Sequence, residues 1–485
     1  MYYNNPYVQY MYSYPHKTAY RPLAGVNLRD YGQRFAGDGH GLYLHVPFCQ
    51  SKCGYCNLFS VTGLGAEVME RYLDSVGRQI GQYAGILKEA GAVFSDFTIG
   101  GGTPLLLEEG QLDRVFDMVD GNLEFGQNRQ IVIETAPNQT TREKLNLLKR
   151  RGVTRVSMGI QSFSDRELAV LRRGHGGERA RRALELLKAC DFPCVNVDFI
   201  YGIPGQTVES LLESLEEAVS FAPDEIFLYP LYVKHGVSME REGVVPEPER
   251  AYAEYGEGAA YLKSEGYRQD SMRRFVRRQS GAGRGGREFS DCGFSTSLAL
   301  GCGGRSYAGN LHFCTPYAIT RKSCLEELRA FMECGDYTGI THGIFLSAEE
   351  EKRRYAIRHL LIRPGLDREL YRQKFGTEAT EDFPQLLHWM EKGFLEEKAA
   401  GGTQRTEKQV EGQMPGQKTS GQRAESGMRT GRTPLGGWLT LTEEGLGLSD
   451  CLGPELISPE IRKKMEEWDD IHKSHDSLQG QSEKL

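Results

Sequence analysis

From residue 41 onward, short apolar runs alternate with longer stretches in which apolar positions recur every three or four residues. This is the pattern of buried strands and amphipathic helices built as βα units around a parallel sheet. It predicts strands over 42–46, 94–99, 131–135, 155–159, 195–200 and 225–232. Helices are predicted between them over 66–90, 112–119, 142–151, 164–171, 180–189 and 208–221. Six units fall short of the eight that close a barrel, so the expected α/β fold is an open, partial (β/α)6 TIM-like barrel. Its chemistry belongs at the C-terminal ends of the strands, where the βα loops cluster.

Past the sixth strand the pattern changes. A helix over 246–266 precedes a Gly/Arg-rich run at 277–287, which reads as an exposed insertion. A mostly helical segment, 348–397, gives way to 399–437, rich in Gly, Gln, Thr, Arg and Lys and nearly devoid of apolar residues. Such a stretch cannot bury enough apolar surface to offset its ordering entropy and is expected to be disordered. A strand-like alternation at 438–442 and a helix at 458–468 follow. Helices joined to a short strand pair predict a smaller α+β, winged-helix-like module. The resulting division is an N-terminal cap segment (1–40), the barrel (41–240), a barrel extension with the Gly/Arg insert (241–345), the C-terminal module (346–470) and a polar tail (471–485).

Composition narrows the function classes. A chain of 485 residues can bury several cores. Its 59 basic and 66 acidic residues leave a net charge of −7 with no basic block, so nucleic acid is not an expected partner. No run approaches the roughly 18 apolar residues of a membrane span, and the Tyr/Asn-rich start lacks the form of a signal peptide. Eleven cysteines, an odd number, fit a reducing compartment better than a disulfide framework. A cytoplasmic protein is expected.

The candidate chemistry begins directly after the first predicted strand, at Tyr43-Leu-His45-Val-Pro47-Phe48-Cys49-Gln-Ser-Lys-Cys53-Gly-Tyr55-Cys56. Three thiolates in a C-x3-C-x2-C loop can wrap one [4Fe–4S] cubane and leave its fourth iron without a protein ligand. An open iron can chelate the amino and carboxylate groups of S-adenosylmethionine (SAM), and the reduced cluster can split its sulfonium into methionine and a 5′-deoxyadenosyl radical. The competing reading is a zinc knuckle, which ordinarily adds a fourth Cys or His at short spacing. One βα unit later, Gly100-Gly101-Gly102-Thr103-Pro104 follows the second strand, and its lack of side chains lets a ligand approach the backbone closely.

Together with motifs further along, this stretch resembles the oxygen-independent coproporphyrinogen III oxidase-like family of radical SAM proteins, which also contains a haem chaperone branch. Those motifs are Glu134 within Ile133-Glu-Thr-Ala-Pro137, Arg155-Val-Ser-Met-Gly-Ile-Gln161-Ser-Phe163, Leu171-Arg-Arg173-Gly-His175 and Val197-Asp198-Phe-Ile200-Tyr-Gly-Ile-Pro-Gly-Gln-Thr207. The likeness runs from about residue 12 to 468, apart from the two low-complexity inserts. It implies a [4Fe–4S] cluster on Cys49, Cys53 and Cys56. It assigns Tyr43, Gly101, Gly102 and Thr103 to the methionine end of SAM, and Glu134, Gln161, Arg173, Asp198 and Ile200 to the rest of its pocket. The residue types suit those roles: a carboxylate such as Asp198 accepts from ribose hydroxyls, and an Arg forks onto a carboxylate. The implied partners are a small, tetrapyrrole-like substrate and a reductant such as flavodoxin or ferredoxin.

Departures from the family leave the substrate open. The oxidase has a further cysteine two residues after the third cluster ligand, where this chain has Leu58. The chaperone branch carries a His-Asn-x-x-Tyr motif, and the corresponding Asp291-Cys292-Gly293-Phe294-Ser295 has neither His nor Asn. Cys292, Cys302 and Cys314 are too widely spaced for a second compact cluster motif and read as buried or free thiols. The run Tyr12-Ser-Tyr14-Pro15-His16-Lys17-Thr-Ala-Tyr20-Arg21 resembles the segment with which the oxidase covers its site; it could hold an anionic substrate by Lys17 and Arg21, or be an ordinary surface strand. The leading expectation is a radical SAM enzyme abstracting hydrogen from a porphyrinogen-like or other carboxylate-bearing substrate. A haem carrier on the same fold and a methyltransferase using a second SAM are the alternatives.

Overall fold

The computed structural model describes residues 5–11, 13–278, 296–399 and 437–469. Six strands, Gly37–Val46, Ala92–Gly101, Phe125–Thr135, Arg155–Gln161, Cys194–Tyr201 and Glu225–Pro230, pair in parallel in chain order. They are the predicted strands, several of them lengthened at their N-terminal ends. Helices including Ala66–Ala90, Glu109–Asp120, Gly177–Ala189 and Val208–Ser220 connect them. Strand residues such as Leu44, Phe97, Ile133, Val156, Val197 and Leu228 are fully buried, as expected for a sheet packed on both faces.

The sheet does not stop at the barrel. Ser297–Leu300 pairs in parallel with the first barrel strand, and Arg305–Ala308, Leu311–Cys314, Gly339–Phe345 and Arg21–Asn27 extend that side in antiparallel order. At the other side Arg274–Arg277 pairs antiparallel with the sixth barrel strand, and Tyr267–Gln269 follows it, giving a sheet of 13 strands. The N-terminal stretch expected as a cap is therefore divided. Its residues Arg21–Asn27 form an edge strand, and Tyr10, His16 and Lys17 before it reach the barrel mouth.

The smaller α+β module packs helices Ala348–Leu360, Arg368–Phe375 and Gln385–Glu391 against a three-stranded antiparallel sheet of Leu366–Asp367, Gly437–Leu441 and Leu395–Ala399. Its core, centred on Trp389, Tyr371 and Leu439, also takes in Tyr14 and Tyr20 from the N-terminal segment. The ends of the polar insert expected at 399–437 are paired, Ala399 opposite Gly437, and its interior lies outside the described residues. The Gly/Arg-rich run begins within the strand Arg274–Arg277, and most of it, like the tail 471–485, lies outside them as well. Among the described residues no helix is long and apolar enough to cross a membrane.

Candidate functional site

The cysteine loop is pinned at both ends. Phe48–Cys49 pairs in parallel with Val61–Thr62 just past the first barrel strand. Beneath the loop the buried His45 ring places Nε2 2.8 Å from the Phe59 carbonyl, and the Tyr72 hydroxyl donates to the His45 carbonyl. The glycine loop then closes over Cys49: the Gly102 amide donates to the Val46 carbonyl at 2.8 Å and the Thr103 amide to the Phe48 carbonyl at 2.7 Å. Side chains are excluded here. A Cβ on Gly102 would stand 2.5 Å from the Phe48 carbonyl oxygen and 2.9 Å from Cys49 Sγ, and Gly101 has φ +119° with the His45 ring 2.8 Å from its would-be Cβ.

A cavity of about 460 Å³ opens at the C-terminal ends of the strands. Its walls include Cys49, Cys53, Cys56, Gly101, Gly102, Thr103, Glu134, Gln161, Arg173, Asp198 and Ile200. Of the residues assigned to the cluster and SAM, Tyr43 alone is not on this wall. Three residues before its strand ends, it sets its hydroxyl 3.1 Å from His45 Nδ1 and its ring against the Gly304 backbone. It braces the cysteine loop from behind.

Two buried carboxyls face the cavity. Glu134 accepts from the Gly101 amide at 3.0 Å, yet burial pushes its pKa up to about 7, with help from nearby Asp198. Burial likewise raises Asp198 to about 6, against hydrogen bonds from Asn196 at 2.8 Å and Ser157 at 3.5 Å. Each would gain from a ligand that brings a donor or a positive charge. Gln161 is held at φ +75°, a left-handed conformation costing a non-glycine residue of order 1–3 kcal/mol. Gly159 leaves room for its amide, since a Cβ there would lie 2.7 Å from Gln161 Nε2. Arg173 donates to Cys53 Sγ at 3.1 Å and to the Gly159 carbonyl at 2.6 Å. Its guanidinium thus bridges the Cys53 sulfur and the strand backbone at the cavity wall.

The cavity also has aromatic and cationic lining. Tyr10, Tyr229, Tyr232 and Tyr317 supply aromatic surface there, with Lys17, Lys52 and Lys234 among them. Lys17 Nζ lies 4.5 Å from the Tyr317 ring centroid, and Lys52 Nζ donates to the Ile319 carbonyl at 2.9 Å. Apart from Lys17, sequence reasoning passed these residues over, although Lys52 lies inside the cysteine motif and Tyr229, Tyr232 and Lys234 stand at or just past the sixth strand. Of the N-terminal run, His16 and Lys17 reach the wall. Arg21 turns away and donates to the Lys464 carbonyl at 2.6 Å and to Glu467 at 3.1 Å, while Tyr12 lies outside the described residues.

The thiols are half-buried and would have to ionise to bind any metal centre. Among the described residues no three His, Cys, Asp or Glu side chains converge as one metal ion requires. Burial raises the Cys49 thiol and pushes Cys56 up to about 12, so a strongly positive group is needed to hold them as thiolates. Cys302 and Cys314 are free thiols away from this cavity, and Cys292 lies outside the described residues.

Comparison with known proteins agrees with this geometry. Residues 43–218 match the family model of the radical SAM superfamily. The chain is 36% identical over 207 residues to the haem chaperone HemW of Mycobacterium tuberculosis, a match covering 42% of this chain and about half (53%) of that protein's length. It is 26% identical over 382 residues to the oxygen-independent coproporphyrinogen III oxidase of Escherichia coli, covering 74% of this chain and 81% of the oxidase. The crystal structure of the E. coli coproporphyrinogen III oxidase HemN, described as a radical SAM enzyme, superposes with a TM-score of 0.73 at 21% identity, over 92% of this chain and 96% of the other. That likeness shows a shared fold.

Proposed function

Because this chain carries a radical SAM domain over residues 43–218, we propose that it cleaves SAM reductively at a [4Fe–4S] cluster held by Cys49, Cys53 and Cys56 and abstracts hydrogen from an anionic organic substrate. One observation carries the reading: a single cavity joins the three thiols, the glycine loop and two buried carboxyls to an aromatic, cationic lining. When bound, the cluster supplies the electron that splits the sulfonium of SAM into methionine and the 5′-deoxyadenosyl radical.

The chain's own part is binding and orientation. Gly101 and Gly102 let the methionine end lie against the backbone. Glu134, fixed by the Gly101 amide, keeps a second oxygen for the ammonium of SAM. Asp198 accepts from the ribose hydroxyls, with Asn196 and Ser157 holding it in place. Arg173 keeps Cys53 oriented. Lys17, Lys52 and Lys234 receive the carboxylates of a porphyrinogen-like substrate, and the tyrosines pack on its rings. A flavodoxin or ferredoxin is the expected class of reductant.

A haem carrier is the second reading, favoured by the names of the M. tuberculosis relatives. Anaerobic reconstitution followed by reduction with dithionite separates the two. The enzyme releases 5′-deoxyadenosine from SAM, and Cys49→Ala, Cys53→Ala or Cys56→Ala each abolishes both iron loading and release, whereas Cys302→Ala changes neither. A Soret band retained through gel filtration, without 5′-deoxyadenosine, would establish the carrier instead.

A further inference from the structure

A second, larger cavity of about 940 Å³ lies at the opposite ends of the same strands. Its floor is formed by Asp38 and Gly39, Val93 to Asp96, and Gly126 to Gln130, the starts of the first three barrel strands. One wall is the helix Ala348–Leu360, which presents Arg354 and Arg358 one turn apart. Across from it the paired strands Arg305–Ala308 and Leu311–Cys314 place Tyr307 and His312 directly opposite each other in register. The Arg354 guanidinium sits 5.0 Å from the Tyr307 ring centroid, and that ring meets His312 edge-on at 4.7 Å.

The surroundings are electropositive. Burial, with Arg358 and Arg305 nearby, pulls the Arg354 pKa down, and Tyr307 offsets this in part. Burial and the same Arg354 and Arg305 hold His312 well below its ordinary pKa, so its ring is neutral. Lys374 adds a further cation to the wall. Of the acidic groups, Asp96 is engaged by the Ser95 hydroxyl at 2.6 Å, Asp38 is exposed, and Glu351 stands one turn before Arg354. Both arginines have other contacts within the chain. Two further groups matter here. His312 is 1% exposed and its Nδ1 meets no hydrogen-bond partner among the described residues, and Gln130 Oε1 on the floor is equally unmet.

We propose that this cavity binds a small polyanion, phosphate- or carboxylate-bearing, with Arg354 and Arg358 on its oxygens and His312 donating an N–H to it. The volume is that of a small-molecule site. No residue is shared with the cysteine cavity, so the proposal does not depend on the reading of that site.

Calorimetric titration of the reconstituted full-length chain with pyrophosphate and with citrate tests it. One saturable site is expected; binding of pyrophosphate alone identifies a phosphate ligand, and of citrate alone a carboxylate. The double variant Arg354→Gln/Arg358→Gln should weaken binding by about tenfold or more, the loss of a charge-assisted hydrogen bond, while iron content and 5′-deoxyadenosine release stay as in wild type. If the double variant loses its iron, His312→Phe is measured in its place and should weaken binding several-fold. No binding of either anion, unchanged affinity in the variants, or displacement of the anion by SAM would each overturn the proposal.

Discussion

Asp198 and Glu134 show how a single buried carboxyl reports on its ligand. Folding raises Asp198 from 3.8 to about 6 and Glu134 from 4.5 to about 7, chiefly by burial. The folded chain therefore holds these protons to higher pH than the unfolded chain does. Any stability the two groups lend is present at low pH and lost as pH rises through the folded values. Glu134→Gln, which cannot ionise, should gain stability over SAM-free wild type between about pH 5 and about pH 8, and a difference in melting temperature that stays flat over that range would contradict this. Asp198→Asn removes one charge-assisted hydrogen bond of about 1.5–3 kcal/mol, so SAM affinity should fall roughly ten- to a hundredfold while the visible absorption of the cluster is unchanged. The identities of both residues were readable because each lies in the C-terminal half of a strand within a recognisable run. The orientations of Tyr43 and Arg173 were not, since packing decides whether a side chain on a barrel rim faces the cavity or supports it from behind.

Among the elements, the six barrel strands were legible from short segments of five to eight residues rich in apolar side chains, and the helices between them from their period. The antiparallel strands that extend the main sheet beyond the barrel were not. Arg305–Ala308 and Leu311–Cys314 are four residues each, too short to show an alternation. Equally hidden was the short helix Ser449–Leu452, although it governs the rim of the cysteine cavity. Its Asp450 is fully buried and accepts from the Tyr232 hydroxyl, from Arg273 and from the Met11 amide at 3.1 Å. Arg273 in turn lies 4.0 Å from the Tyr10 ring centroid, so two tyrosines of the cavity wall are set by one carboxylate of the C-terminal module. Asp450→Ala strands the Arg273 charge in the interior and should cost about 3–5 kcal/mol in urea unfolding. A loss below about 1 kcal/mol, the worth of an exposed ion pair, would show that water reaches this network.

At the scale of the whole molecule, the proposed cleavage of SAM and the proposed action on a substrate draw on different parts of the chain. Every group proposed to hold the cluster and SAM lies between residues 49 and 200, whereas the aromatic and cationic lining draws on residues from 10 to 317. Deleting residues 1–20 should spare the slow release of 5′-deoxyadenosine and abolish turnover of the true substrate, read by product analysis beside the nucleoside assay. Normal turnover by the shortened chain would return the Tyr/Lys run to a purely structural role. The sequence could not have revealed this division, because the contacts that complete the rim join segments up to 439 residues apart and leave no local pattern.

That separation sets an order of assembly on the ribosome. The cysteine loop and the six barrel strands, the last ending at Pro230, are all synthesised before Asp450. Met11 waits through the 439 residues that separate it from Asp450 before the rim can close over the mouth. A chain cut short before Asp450 would therefore present the cysteine loop under an open rim. On the proposed chemistry, a radical formed in such a chain would meet solvent before it met substrate.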